Sequence, residues 1–126
     1  RTADHEQITI GHGFDHNFVV NHYDGAGKLV KAAEVSEPIT GRVLEVLTTE
    51  PGVQFYTGNF LKSQMGKRGE GYHPYTRVFL EAQKFPDSPH QPQFPSSELR
   101  PGETYAQTNN VPRNRVFKDD AITELA

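Results

Sequence analysis

Thr76-Arg77-Val78-Phe79-Leu80-Glu81-Ala82-Gln83, running directly into Lys84-Phe85-Pro86-Asp87-Ser88-Pro89, is the stretch that decides the fold class. Its β-branched, aromatic and apolar residues alternate with polar ones, the period of a half-buried strand. Successive strand side chains point to opposite faces, so Val78, Leu80 and Ala82 form a core face. Arg77, Phe79, Glu81 and Gln83 form a mixed face that suits a hydroxylated ligand. A carboxylate in the middle of that face is a candidate base; its plain alternative is a solvated glutamate that keeps the sheet soluble.

The rest of the chain agrees with a β reading. Eleven glycines and nine prolines break the sequence into short apolar runs, and no run keeps helical spacing beyond about two turns. Strands are predicted at residues 14–20, 28–35, 42–48, 53–56, 76–83, 104–107 and 115–117. Asp24-Gly25-Ala26-Gly27 is predicted to join two of them as a hairpin. Pro51-Gly52 and Arg100-Pro101-Gly102-Glu103 are further turns. Pro86, Pro89, Pro92, Pro95 and Pro101 forbid a central strand across that segment and make it an ordered loop. Gly66-Lys67-Arg68-Gly69-Glu70-Gly71 is expected to be a mobile loop, and residues 118–126 a single helical turn or a frayed tail.

Composition narrows the function classes. At 126 residues with a net charge of -3, the chain makes at most one ordinary domain and offers no basic stripe for nucleic acid. No apolar run approaches a bilayer span, and no membrane partner is expected. The chain has no cysteine, which removes disulfides and thiolate chemistry and fits a reducing, cytoplasmic setting. Neither glycine-lysine segment has the spacing of a phosphate loop. His12 and His16 are four apart, but the glycines beside them point to extended chain rather than a zinc-gripping helix, so no metal is expected. No serine has the Gly-x-Ser-x-Gly context of a nucleophile.

Three polar residues interrupt otherwise apolar strands: Asp15 between Phe14 and Phe18, Gln54 between Val53 and Phe55, and Glu81 between Leu80 and Ala82. Polar groups at such places need hydrogen-bond partners from the protein or from a ligand. A sugar meets that need, since its hydroxyls pair with carboxylates and amides while its C–H face packs on rings such as Phe79 or Tyr56.

The same segments carry a family likeness. Gly13-Phe14-Asp15-His16-Asn17-Phe18-Val19-Val20, Thr48-Thr49-Glu50-Pro51-Gly52-Val53-Gln54-Phe55-Tyr56-Thr57-Gly58-Asn59-Phe60-Leu61, Phe79-Leu80-Glu81-Ala82-Gln83-Lys84-Phe85-Pro86-Asp87-Ser88-Pro89 with Phe94-Pro95-Ser96, and Leu99-Arg100-Pro101-Gly102-Glu103-Thr104-Tyr105 resemble, in order and spacing, the C-terminal part of the aldose 1-epimerase (galactose mutarotase) family. The resemblance implies an all-β fold, part of a large antiparallel β-sandwich of the galactose mutarotase-like supersandwich type. It implies residues 1–126 as a single C-terminal portion of that domain, partnered by the missing N-terminal part. The implied activity interconverts the α and β anomers of free hexoses such as galactose and glucose, without a cofactor.

By carry-over Glu81 matches the general base, Asp15 the carboxylate that binds sugar hydroxyls, and Gln54 a substrate-contacting amide. The family's acid and assisting residue are histidines. None of His5, His12, His16, His22, His73 or His90 has the context of either, so both are expected upstream, and His16 is expected to be structural. Two departures stand out: Ala82 where the family commonly has threonine, and residues 107–114, which do not resemble the closing strand. A non-catalytic carbohydrate-binding module, a relative specific for hexose-6-phosphate, and a glycoside hydrolase using Asp15 and Glu81 as its carboxylate pair remain alternatives.

Overall fold

The computed structural model describes residues 4–115. The predicted tail at 118–126 and the end of the predicted strand at 115–117 lie outside the described residues. In chain order the elements are α1 (Glu6–Ile10), β1 (Asp15–Val19), β2 (Val30–Glu37), β3 (Arg42–Thr48), β4 (Gly52–Tyr56), β5 (Gln64–Met65), β6 (Gly71–Tyr72), β7 (Phe79–Gln83), β8 (Asn109–Asn110) and β9 (Arg113–Arg115). Short 3-10 turns fall at Lys67–Gly69 and Ser88–His90. Two compact units result: one takes in Gln54–Glu81 and the chain up to Phe18, the other Val19–Val53 and the chain from Ala82 onward.

The first unit carries a three-stranded sheet in the order β1–β4–β7. A buried polar clip holds β1 to β4. The Phe14 N–H donates to Thr57 Oγ1 at 3.1 Å, and the Thr57 N–H donates to the Phe14 carbonyl at 3.0 Å. The Thr57 hydroxyl donates to Asn59 Oδ1, and Asn59 Nδ2 donates to the carbonyls of Gly11 and Phe14, each at 2.9 Å. Thr57 and Asn59 are both buried, so the side chains complete backbone groups that water does not reach. Gly13 passes against this clip at φ 136; a Cβ there would collide with Asn59 Oδ1 and lie 2.8 Å from Thr57 Oγ1. Only glycine fits.

Two expectations change in this unit. The strand predicted from residue 76 begins at Phe79. Tyr75 takes a left-handed φ of 62, and both the backbone N–H and the hydroxyl of Thr76 bond to the His73 carbonyl, which makes residues 73–76 a turn. Arg77 therefore leaves the strand face, with its guanidinium 5.2 Å above the Tyr72 ring and 3.8 Å from the Glu70 carboxylate. The glycine-rich segment expected to be a mobile loop is the bend of a β5–β6 hairpin, closed by a 2.7 Å bond from the Gly66 N–H to the Glu70 carbonyl.

The second unit is built on the antiparallel β2–β3 hairpin, in register from Glu37 opposite Arg42 to Val30 opposite Thr48, with an irregularity between Lys31 and Ala33. Among the described residues Val20, Val30, Val46 and Val53, with the fully buried Pro51, are buried apolar side chains of this unit. The hairpin turn is not the predicted one. Asp24-Gly25-Ala26-Gly27 does turn, with Asp24 Oδ1 accepting the Ala26 N–H at 2.8 Å. It connects β1 to β2, however, and these lie in different sheets. The true hairpin bend follows β2, where Pro38 cannot continue the ladder. There the Glu37 carboxylate accepts the N–H groups of Ile39 and Thr40 at 2.7 and 2.8 Å and the Thr40 hydroxyl.

The predicted strand at 104–107 is irregular chain. Strand pairing comes two residues later, where β8 and then β9 add antiparallel to β3. Thr48, fully buried, donates to Asn109 Oδ1 at 2.7 Å and accepts the Glu50 N–H. Glu50 is also buried; its Oε1 accepts the Tyr105 hydroxyl at 3.1 Å and its Oε2 lies 3.4 Å from Lys84 Nζ. The Lys84 contact is an ion pair without hydrogen-bond geometry, which leaves Oε2 without a hydrogen-bond donor. Desolvation and the Glu50 carboxylate raise the Tyr105 phenol above its ordinary value. The Arg100-Pro101-Gly102-Glu103 turn forms as expected, with Gly102 at φ 90 and the Glu103 N–H bonded to the Arg100 carbonyl.

Two outcomes are expected. Asn59→Ala strands the buried Gly11 carbonyl and removes one donor from the Phe14 carbonyl and the acceptor of the Thr57 hydroxyl, so denaturant unfolding of the protein should show a loss of about 2 to 4 kcal/mol. The Thr40 hydroxyl, followed by the Ile39 and Thr40 N–H groups, holds the Glu37 carboxyl below its ordinary value of 4.5. The stabilisation is therefore present above about pH 4.5 and is lost as pH falls through the lower folded value. Glu37→Gln should flatten that part of the acid-unfolding curve.

Candidate functional site

Three strands of one sheet position the three sequence-predicted residues. Asp15 is the first residue of β1, Gln54 the middle of β4 and Glu81 the middle of β7, so sheet order follows the order of the three side chains. Gln54 Nε2 donates to Asp15 Oδ1 at 2.7 Å. The donor can only be the amide nitrogen, because an ionised carboxylate only accepts. This bond puts Asp15 and Gln54 on the same face.

Ring contacts place Glu81 there as well. Tyr56 lies two residues beyond Gln54 and Phe79 two before Glu81, so each shares its neighbour's face. The two rings meet with centroids 5.3 Å apart and an interplanar angle of 31°. One face thus presents a carboxylate, an amide, a second carboxylate and a pair of tilted rings. The other face is aromatic: Phe14 packs on Phe55 at 5.1 Å and on Phe18 at 6.4 Å. The alternation predicted from Arg77 to Gln83 holds from Phe79 onward; Val78, expected on the core face, precedes the strand and is 55% exposed.

Asp15 and Glu81 are exposed and Gln54 is half-buried. Glu81 accordingly reaches its surroundings from an open sheet face, where a ligand hydroxyl has direct access. Gln54 is constrained: its Oε1 is buried without a hydrogen-bond partner, as is Nδ2 of Asn17. His16 is occupied locally, its Nδ1 accepting the Asp15 N–H at 3.0 Å while its ring packs edge-on to Phe14. His12 packs edge-on to Phe60. Among the described residues no three His, Cys, Asp or Glu side chains gather as a metal cage, and no helix is long and apolar enough to cross a membrane.

Sequence reasoning did not single out Asn17 or the Thr57–Asn59 clip. Asn17 sits two residues from Asp15 and so on its face, but only strand pairing shows what it opposes. Thr57-Gly58-Asn59 looks like an ordinary turn until its side chains are seen to reach β1.

The described chain is an all-β protein of antiparallel sheets, with polar residues and rings sharing one sheet face. A profile of the aldose 1-epimerase family matches residues 1–111, and the chain belongs to that family. It is similar to galactose mutarotase from Mus musculus, at 50% identity over 77% of this chain and 28% of the relative. Galactose mutarotase from Homo sapiens is 50% identical over 76% of this chain and 28% of its own length. Aldose 1-epimerase from Escherichia coli is 40% identical over 82% of this chain and 30% of its own length. A crystal structure of the GalM/aldose epimerase homologue from C. elegans superposes with a TM-score of 0.72 at 25% identity, over 82% of this chain and 30% of that one. The chain therefore spans about 28% of the length of the mouse and human relatives.

Proposed function

We propose that this chain is the C-terminal portion of an aldose 1-epimerase domain and carries the base and two binding residues of a mutarotase acting on free hexoses such as galactose and glucose. The observation that carries the reading is the shared face of β1, β4 and β7, on which the Gln54 amide is tied to the Asp15 carboxylate. Family membership supports it, since the relatives are named galactose mutarotase and aldose 1-epimerase.

Mutarotation needs a proton removed from the C1 hydroxyl and one delivered to the ring oxygen. The ring C1–O bond then opens to an aldehyde, which turns and is attacked by the freed hydroxyl on its other side. Glu81 is the base for the C1 hydroxyl. Asp15 accepts from sugar hydroxyls through the lone pairs that Gln54 leaves free, and Gln54 fixes the carboxylate's orientation as well as contacting the sugar. Tyr56 and Phe79 offer ring faces to the sugar's C–H surface. The donor to the ring oxygen lies outside these residues, in keeping with a domain of which this chain is one portion.

Arg77 gives little support to the hexose-6-phosphate alternative, being engaged by Glu70 and Tyr72. We place the reaction in the cytoplasm on the ground of the cysteine-free composition.

Polarimetry on freshly dissolved α-glucose tests the assignment in the complete enzyme. Glu81→Gln should slow catalysed relaxation on the order of 100-fold or more, and an unchanged rate removes Glu81 as the base. Asp15→Ala should raise KM on the order of tenfold or more, since it deletes a charged hydrogen-bond partner of the sugar. A wild-type protein that binds hexose yet leaves the relaxation rate unaltered is a binding module instead.

A further inference from the structure

Two buried polar atoms on the sheet face are complementary and unpaired. Asn17 Nδ2 is a donor and Gln54 Oε1 an acceptor; each is cut off from solvent and neither has a hydrogen-bond partner. Their strand positions oppose each other. The Thr57 N–H bonds to the Phe14 carbonyl at 3.0 Å, and the Val20 N–H bonds to the Pro51 carbonyl at 2.9 Å. Counting three residues from either bond along both strands brings Asn17 opposite Gln54. The bonded pairs fall on alternate positions, so Asn17 and Gln54 form a non-hydrogen-bonded cross-strand pair, the kind whose side chains approach most closely.

We infer that Asn17 is a positioning residue for the sugar site: its Nδ2 donates to Gln54 Oε1 and thereby holds Gln54 Nε2 toward Asp15. With that bond made, the chain would run from Asn17 through Gln54 to Asp15 Oδ1, of which the Gln54–Asp15 bond is already formed, and both buried atoms would be matched. An amide can otherwise rotate and exchange its oxygen and nitrogen, which would turn an acceptor toward the Asp15 carboxylate. A donor opposite Oε1 excludes that rotamer. A leucine or valine of similar size fills the same space but cannot choose between the two orientations.

The inference rests on the proposed sugar-binding roles of Asp15 and Gln54, while the bond itself can be read without turnover. In the complete protein, side-chain amide NMR should show slowed exchange of the Asn17 NH2 group, and Gln54→Ala should speed it and shift its resonances. An Asn17 signal indifferent to Gln54→Ala overturns the pairing whether or not the protein is a mutarotase. For function, Asn17→Ala should raise KM about 3- to 10-fold with kcat little changed, and should add nothing in a Gln54→Ala background. Asn17→Asp keeps the size but puts a carboxylate opposite Oε1, drawing the Gln54 nitrogen away from Asp15, so its KM should rise further than that of Asn17→Ala. Equal losses in both backgrounds, or Asn17→Asp matching wild type, would reduce Asn17 to a packing residue. Thermal unfolding of each variant separates these results from loss of fold, and absence of activity in the wild type counts against the proposed function rather than the pair.

Discussion

The buried clip between β1 and β4 is the constraint on which the rest of the site depends. Thr57 and Asn59 supply an oxygen and two N–H bonds that pair the backbone of Phe14 and cap the Gly11 carbonyl. A slip of one residue between these strands would turn Asp15 to the face of Phe55 and carry Phe14 and Phe18 onto the face of Gln54. Side-chain bonds that recognise one particular residue make that slip expensive, because each displaced partner becomes a buried, unmatched polar group. Gly13 is part of the same device, since the backbone must pass where a side chain cannot fit.

The site combines a rigid center with an accessible edge. Gln54 sits on the middle strand, half-buried and tied to Asp15, so the Asp15 carboxylate is oriented by the protein itself. Glu81, on the next strand, is exposed. That division suits the proposed acid–base work on a polyol: the proposed binding residues are tied to each other, and the proposed base is exposed. The Tyr56–Phe79 contact links the two strands on the site face through ring packing rather than through charge.

Several elements were legible in the linear order of residues. The strand at Arg42–Thr48 was found at its observed limits, and Phe79 to Ala82 were assigned to the right faces, because alternation is a local property of extended chain; Arg77 and Val78, placed on the same strand, precede it. The Asp24–Gly27 turn was recognised as a turn and misjudged as a hairpin. Turn chemistry reports the bend of the chain, whereas pairing depends on which strand offers the best partner. Here β2 found β3 across Pro38–Gly41, and β1 found β4 across a much longer interval. Asn109–Asn110 and Arg113–Asn114, which lay outside the predicted strands, pair along β3 because Thr48 and the open edge of that strand supply the ladder and the Asn109 contact.

From sequence alone came the all-β class, the identity of Asp15, Gln54 and Glu81 as polar residues on apolar strands, and the likeness that gave them roles. Those conclusions rest on the period of side chains and on residue chemistry, which are carried by neighbours in the chain. The three-dimensional arrangement decided that the three residues share one face, that Gln54 is locked to Asp15, that Arg77 is turned aside, and that Asn17 stands opposite Gln54. Each of these is a relation between residues far apart in the chain or is set by a turn's backbone, and hydrogen bonds across strands depend on a register that no single segment contains.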